Sequence, residues 1–212
     1  MPELPEVQTV VNGIKSKINK HKILRFKKYI SKLRYPIQKN LSSKIESSKV
    51  TTVFRRAKYI IINLSNNRSL VIHLGMSGRI IIVKNNKKKF KHTHFSIFFS
   101  NNLVFQFIDP RRFGYIFVTE TASLETHRFF VNLGVEPLIE QFNDLYLLNV
   151  TKNKKSPIKN IIMNHYYIGT SIYISFKTFC NPVNICFITL KIFQSILFTK
   201  GVKVIISRTS TV

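Results

Sequence analysis

Two pairs of short apolar runs, each pair split by an Asn-Asn step, set the strongest limit on what this chain can fold into. Residues 59–64 and 69–74 flank Asn66-Asn67, and residues 95–99 and 103–108 flank Asn101-Asn102. Runs rich in Ile, Val and Phe, bounded by such steps, read as strands joined by hairpin turns. Residues 79–83 and 115–118 read as further strands. Short strands at this spacing point to a sandwich or barrel. One helix leads into it: Val7, Val10, Val11, Ile14 and Ile18 recur at helical spacing over residues 6–18. Pro5 fits the first turn of that helix, where a missing N–H costs nothing.

The pattern changes after about residue 138. Residues 141–150 read as a helix, residues 152–155 as a basic link, and residues 158–164 as a second helix with Pro157 near its start. From Gly169 onward the chain is rich in Ile, Phe, Thr and Ser without a helical period, and its last acidic residue is Asp144. The expected fold class is α+β. A β-sandwich with flanking helices over 1–138 is followed by a truncated, degenerate helical remnant over 139–212.

Charge narrows the partner. The 212 residues carry 34 Lys plus Arg against 9 Asp plus Glu, a formal charge of +25. Such a balance favours a polyanion, and nucleic acid comes first because each cation near a phosphate releases counterions. AT-rich codon usage explains the abundance of Lys, Asn, Ile and Phe but not the scarcity of acids. The apolar stretch 183–198 is broken by Lys191, Gln194 and Ser195 and falls short of a membrane span. With Glu3 and Glu6 at the start there is no signal-peptide pattern, and a cytoplasmic protein is expected.

Six blocks carry chemistry or a turn. Each has a bland reading when taken alone. Pro2-Glu3-Leu4-Pro5-Glu6 is a proline-led helix start, but removal of Met1 would expose a secondary amine. An α-amino group titrates near 8, so a useful fraction is a neutral nucleophile, with Glu3 beside it as acid or base. Arg55-Arg56-Ala57-Lys58-Tyr59 leads into a strand, and His73-Leu74-Gly75-Met76-Ser77-Gly78 reads as the close of a hairpin. Lys91-His92-Thr93-His94 precedes a strand, and an H-x-H pair without a carboxylate is weak as a metal site. Asp109-Pro110-Arg111-Arg112-Phe113-Gly114 reads as a tight basic turn, and Leu133-Gly134-Val135-Glu136-Pro137-Leu138 closes the series.

In this order the blocks resemble the bacterial formamidopyrimidine-DNA glycosylase family, over residues 1 to about 163. Leu4 is similar to the purine-repair branch, since the pyrimidine branch has Gly there. The resemblance implies a bifunctional glycosylase and lyase of base excision repair, which removes 8-oxoguanine and formamidopyrimidines from double-stranded DNA and nicks the abasic strand. It assigns the nucleophile to Pro2. Protonation of the sugar ring oxygen and proton shuttling fall to Glu3, and proton donation with phosphate contact to Lys58. Glu6 is implied as a positioning acid. Met76, Arg111 and Phe113 correspond to the residues that fill the void left by the extruded base, and His92, Arg111 and Lys154 to DNA contacts. The family acts as a monomer and needs no organic cofactor.

The resemblance breaks after Met163. Gly169-Thr170-Ser171-Ile172-Tyr173 stands where the family has Gly-x-Gly-Asn-Ile-Tyr, so the phosphate-binding Asn is replaced by Ser171, and Phe176 stands where an acid is expected. The family also ends in a zinc finger with four cysteines. Cys180 and Cys186 are the only cysteines here, without the paired spacing of a tetrahedral site, so no metal is expected. A frameshift near residues 165–180 accounts for the change, with a genuine alternative C-terminus as its rival. Two functional alternatives stay open beside the active enzyme: an inactive DNA-binding remnant, and a basic RNA-binding or ribosomal protein.

Overall fold

The computed structural model describes residues 2–85, 89–137, 139–156 and 158–169, and the backbone of 174–180, 185–192 and 201–207. The chain divides into two compact units, Met1–Val131 and Asn132–Val212.

The first unit opens with α1 (Leu4–Ile18), whose buried face is Leu4, Val7, Val11, Ile14 and Ile18. Its start is fixed by charge and hydrogen bonding: Glu6 Oε2 accepts the Glu3 N–H at 3.1 Å, and the Glu3 carbonyl accepts the Val7 N–H at 3.0 Å. An acid in the first turn also faces the positive end of the helix dipole. Then follow β1 (Ile23–Lys28), the short α2 (Leu41–Ile45), β2 (Val50–Arg56), β3 (Tyr59–Leu64), β4 (Arg68–His73), β5 (Arg79–Lys84), β6 (Thr93–Phe99), β7 (Leu103–Ile108) and β8 (Tyr115–Glu120). They form two four-stranded sheets, in the orders β1-β6-β7-β5 and β2-β3-β4-β8. Every pairing is antiparallel.

Both Asn-Asn steps are hairpin turns. Asn67 and Asn102 adopt φ of 59° and 61°, the left-handed conformation that Asn tolerates better than most residues. One core joins the two sheets and α1. It includes Val7, Val11 and Ile14 from the helix, Ile60, Ile62, Leu70 and Ile72 from one sheet, and Phe95, Ile97, Phe105 and Phe107 from the other. Each such side chain contributes roughly 1.5–3 kcal/mol by leaving water, so the sandwich is held by its interior and its loops are free to carry polar residues. The α+β class with an N-terminal β-sandwich is therefore the observed architecture.

One reading of the loops is corrected. The segment His73 to Gly78 does not close a hairpin: β4 and β5 lie in different sheets, so it crosses from one sheet to the other. The Asp109 to Gly114 segment crosses back, from β7 to β8. Two crossovers therefore carry the candidate wedge residues.

In the second unit, α3 (Asp144–Thr151) is capped by Asn143, whose side chain accepts the Tyr146 N–H at 3.0 Å. A short α4 (Ile158–Ile162) follows. Beyond it the backbone runs as β9 (Ile174–Cys180), β10 (Ile185–Ile192) and β11 (Gly201–Ser207), an antiparallel sheet in the order β11-β10-β9. The absence of helical period after Gly169 thus goes with strand, not helix. Residues 170–173, where the family's phosphate-binding segment is expected, lie outside the described residues, as do the side chains of Phe176, Cys180 and Cys186.

Candidate active site

The N-terminal block and the β2–β3 turn meet. Lys58 Nζ lies 2.6 Å from Glu3 Oε2, and their side chains are only 9% and 20% exposed. That burial separates the pair from an ordinary surface ion pair, whose net worth is close to zero. Pro2 adjoins it in sequence and is half-buried. The turn that delivers Lys58 is strained. Ala57 has φ of 52°, in the left-handed region that an L-residue enters at a cost of about 1–2 kcal/mol. Arg55 holds it there, donating from Nη1 to the Ala57 carbonyl at 2.9 Å and from Nε to Gln8 Oε1 of α1 at 3.0 Å. The helix that bears Glu3 and the turn that bears Lys58 are thereby tied through one guanidinium.

Next to Lys58 lies a group that the sequence reading quoted but gave no role. His73 packs against Tyr59 and Tyr115, with ring centroids 5.0 and 4.9 Å away, and the Tyr115 hydroxyl donates to that of Tyr59 at 2.9 Å. His73 Nδ1 accepts the Gly75 N–H at 3.0 Å, which leaves the proton of the neutral ring on Nε2. Burial, then the positive charges of Lys58 and Arg34, push its pKa down to about 4. Burial raises the Tyr59 and Tyr115 phenols, so both stay neutral at physiological pH. The sequence signal for His73 was its place at the end of a strand, just before a Gly-rich crossover.

The depressed pKa has a consequence for stability. In the unfolded chain His73 titrates near 6.5, so between about pH 6.5 and pH 4 the unfolded state holds the extra proton. Stability conferred by the neutral ring is complete above that window and is lost as pH falls through it, by up to about 3 kcal/mol. Urea midpoints measured from pH 7 to pH 4.5 are expected to fall less steeply for His73→Asn than for the unaltered chain. Identical slopes would contradict a buried neutral histidine.

The candidate wedge residues gather on the two crossovers. Met76 and Phe113 are 42% and 41% exposed, and the Arg111 guanidinium lies over the Phe113 ring at 5.1 Å. The crossovers touch through their backbones. Gly75, at φ of 68°, approaches so closely that a Cβ there would lie 2.4 Å from Gly114 N. A Cβ on Gly114 would lie 2.5 Å from Phe107 Cζ and 2.9 Å from the His73 carbonyl oxygen. Gly114→Ala is accordingly expected to destabilise the fold by about 1–3 kcal/mol, read as a shift of the urea midpoint. An unchanged midpoint would show that the crossovers are not in contact.

His92 is exposed on the turn before β6, with φ of 61°, while His94 is buried and its Nε2 donates to the Asp109 carbonyl at 2.6 Å. The two histidines therefore face different surroundings, as a metal pair would not. Lys154 belongs to the second unit, exposed, with Nζ 5.4 Å from the centre of the Tyr167 ring. The first unit thus brings together Glu3 with Lys58, and Met76 with Arg111 and Phe113.

Comparison with known proteins bears on the family and the fold. The formamidopyrimidine-DNA glycosylase N-terminal domain matches residues 1–116. The formamidopyrimidine-DNA glycosylase of Rickettsia bellii (strain OSU 85-389) is 44% identical over 177 residues, which are 82% of this chain and 64% of that protein. The enzyme of that name from Wolbachia pipientis subsp. Culex pipiens (strain wPip) is 40% identical over 168 residues, 79% of this chain and 61% of its own length. The chain therefore spans somewhat less than two thirds of these curated relatives. In fold it is similar to Lactococcus lactis formamidopyrimidine-DNA glycosylase non-covalently bound to DNA containing an AP site. The TM-score is 0.69 at 23% identity, covering 79% of this chain and 64% of that one. More than half of its residues match the family's N-terminal domain from residue 1 onward, and on that ground this chain belongs to the formamidopyrimidine-DNA glycosylase family.

Proposed function

We propose that this chain is a DNA glycosylase with AP-lyase activity, acting on oxidised purines such as 8-oxoguanine and formamidopyrimidines in double-stranded DNA. The observation that carries the reading is the buried Glu3–Lys58 pair beside Pro2. An acid and an ammonium in contact, next to an amine nucleophile, supply every proton movement that imine chemistry requires.

With Met1 removed, the Pro2 nitrogen attacks C1′ of the damaged nucleoside, and the bond from C1′ to the base breaks with its electrons going to the base. The proton shed by the Pro2 nitrogen passes to the Glu3 carboxylate, which hands it to the ring oxygen O4′ as the C1′–O4′ bond opens. The product is an iminium joining Pro2 to C1′. It acidifies the C2′ hydrogens; the Glu3 carboxylate, regenerated by its transfer to O4′, takes one as a proton, and the C3′–O bond breaks with its electrons going to the 3′ phosphate, which breaks the strand. The Lys58 ammonium holds the 3′ phosphate, donates a proton to its departing oxygen, and is reprotonated from solvent; the expelled base takes its proton from water. Water then hydrolyses the imine and frees Pro2. Proximity is worth much here, because a nucleophile and an acid held together turn a bimolecular step into an intramolecular one.

The base must leave the stack first, at a cost of a few kcal/mol. Met76, Phe113 and Arg111 are suited to fill the gap: a flexible apolar chain, an aromatic wedge, and a donor for the orphaned partner base. His92, Arg111 and Lys154 serve as DNA contacts, in keeping with the formal charge of +25. The family's four-cysteine zinc site does not fit this chain, which carries two cysteines, and no step runs through a metal. Among the described residues no helix is long and apolar enough to cross a membrane.

The test is strand scission. Full-length chain is expected to nick a duplex with one 8-oxoguanine opposite cytosine and to spare the undamaged duplex. Binding to both duplexes without nicking would replace this reading by that of a DNA-binding remnant.

A further inference from the structure

We propose that Asp109 is a positioning residue that locks the Met76, His92 and Arg111–Phe113 loops into one preformed wedge, an inference that rests on the reading that these loops engage DNA. Asp109 is 0% exposed. Its Oδ1 accepts the Ser77 hydroxyl at 2.5 Å, and its Oδ2 accepts the Gly114 N–H at 2.7 Å. Its own N–H donates to the His92 carbonyl at 3.1 Å, and its carbonyl accepts His94 Nε2 at 2.6 Å and the Arg112 N–H at 3.2 Å. Ser77 Oγ in turn accepts the Arg111 N–H at 3.3 Å. One buried residue therefore bonds to three separate connections of the sandwich.

The chemistry of a carboxylate suits this task. It has acceptors only, and it takes a donor from each crossover at once; an amide would turn an N–H toward one of the two donors. A buried carboxylate is costly unless it is fully hydrogen-bonded, so both donors are held to it. The wedge needs such a tie because it lacks support of its own. Met76 and Phe113 are exposed, and three loop residues, Gly75, His92 and Arg112, hold φ of 68°, 61° and 59°. Fixing these loops before DNA arrives removes an ordering cost from the extrusion step.

Ser77→Ala and Asp109→Asn in the full chain test this, the former keeping the carboxylate should the latter fail to fold. The first readout needs no DNA. Hydrogen exchange of the Arg111 amide is expected to quicken at least tenfold in Ser77→Ala although the change lies on the other crossover, and that of Gly114 in Asp109→Asn, with β3 and β7 amides keeping their protection. The second readout compares two duplexes. Cleavage at 8-oxoguanine, which requires extrusion, is expected to fall at least tenfold more than borohydride trapping on a preformed abasic site. Unchanged Arg111 and Gly114 exchange, or an equal fall on both duplexes, would overturn the proposal. If the unaltered chain cleaves neither duplex, the functional reading fails by itself, and the exchange measurement still decides whether the loops are tied.

Discussion

A chain in which Pro2 is preceded by one uncleaved residue is expected to lose cleavage of 8-oxoguanine DNA by about a thousandfold or more, the scale set by loss of a covalent nucleophile. The extra residue turns the Pro2 amine into an amide. Its lone pair is then delocalised and cannot attack C1′. Pro2→Gly is the milder version. It keeps an amine but gives a neutral imine, which must gain a proton before it can draw electrons, whereas the proline iminium is charged from the moment it forms. Both variants leave the Glu3–Lys58 contact in place, so binding to a duplex with an uncleavable abasic analogue is expected to stay within about threefold, since no phosphate contact is removed. Cleavage unaffected by the extension would exclude an N-terminal amine.

The second large effect concerns the buried pair. Glu3→Gln is expected to slow cleavage by about 10²- to 10⁴-fold, the usual worth of a positioned acid–base group. Lys58→Ala is expected to do comparable harm to activity and to cost about 1–3 kcal/mol of stability, because it leaves a partly buried carboxylate without the ammonium that lay 2.6 Å away. The double variant Glu3→Gln/Lys58→Met separates these effects. With no charge left to bury, most of the stability is expected to return, while cleavage stays lost. Thermal unfolding and single-turnover cleavage on the same preparations read the two. Recovery of cleavage in the double variant would show that the pair is structural only.

Much of the sandwich was legible because its strands are regular. Residues 59–64, 103–108 and 115–118 alternate or run apolar between turn residues, and each is a strand. By contrast β1 and β2 went unread as strands. Their burial repeats every third residue, since each carries a bulge, between Ile23 and Arg25 and between Val50 and Thr52, which breaks the two-residue alternation. Helix α2 has five residues, too few for a periodic signal. Of the site, Glu3, Lys58, Met76, Arg111 and Phe113 were visible as members of ordered motifs. Asp109 was read only as part of a basic turn, because its burial comes from crossovers of two sheets and not from its neighbours in sequence. For the same reason the proximity of His73 to Lys58 needed the fold.

The account stands on the Pro2 amine forming a covalent imine with the sugar of damaged DNA. Borohydride trapping of the full chain on a duplex with one 8-oxoguanine, followed by mass mapping of the adduct, tests this most directly, with intact mass checking that Met1 is gone. The account predicts a reduced adduct carried by the peptide that begins at Pro2. An adduct on Lys58 or another lysine, or none from a chain whose first residue is Pro2, would contradict it.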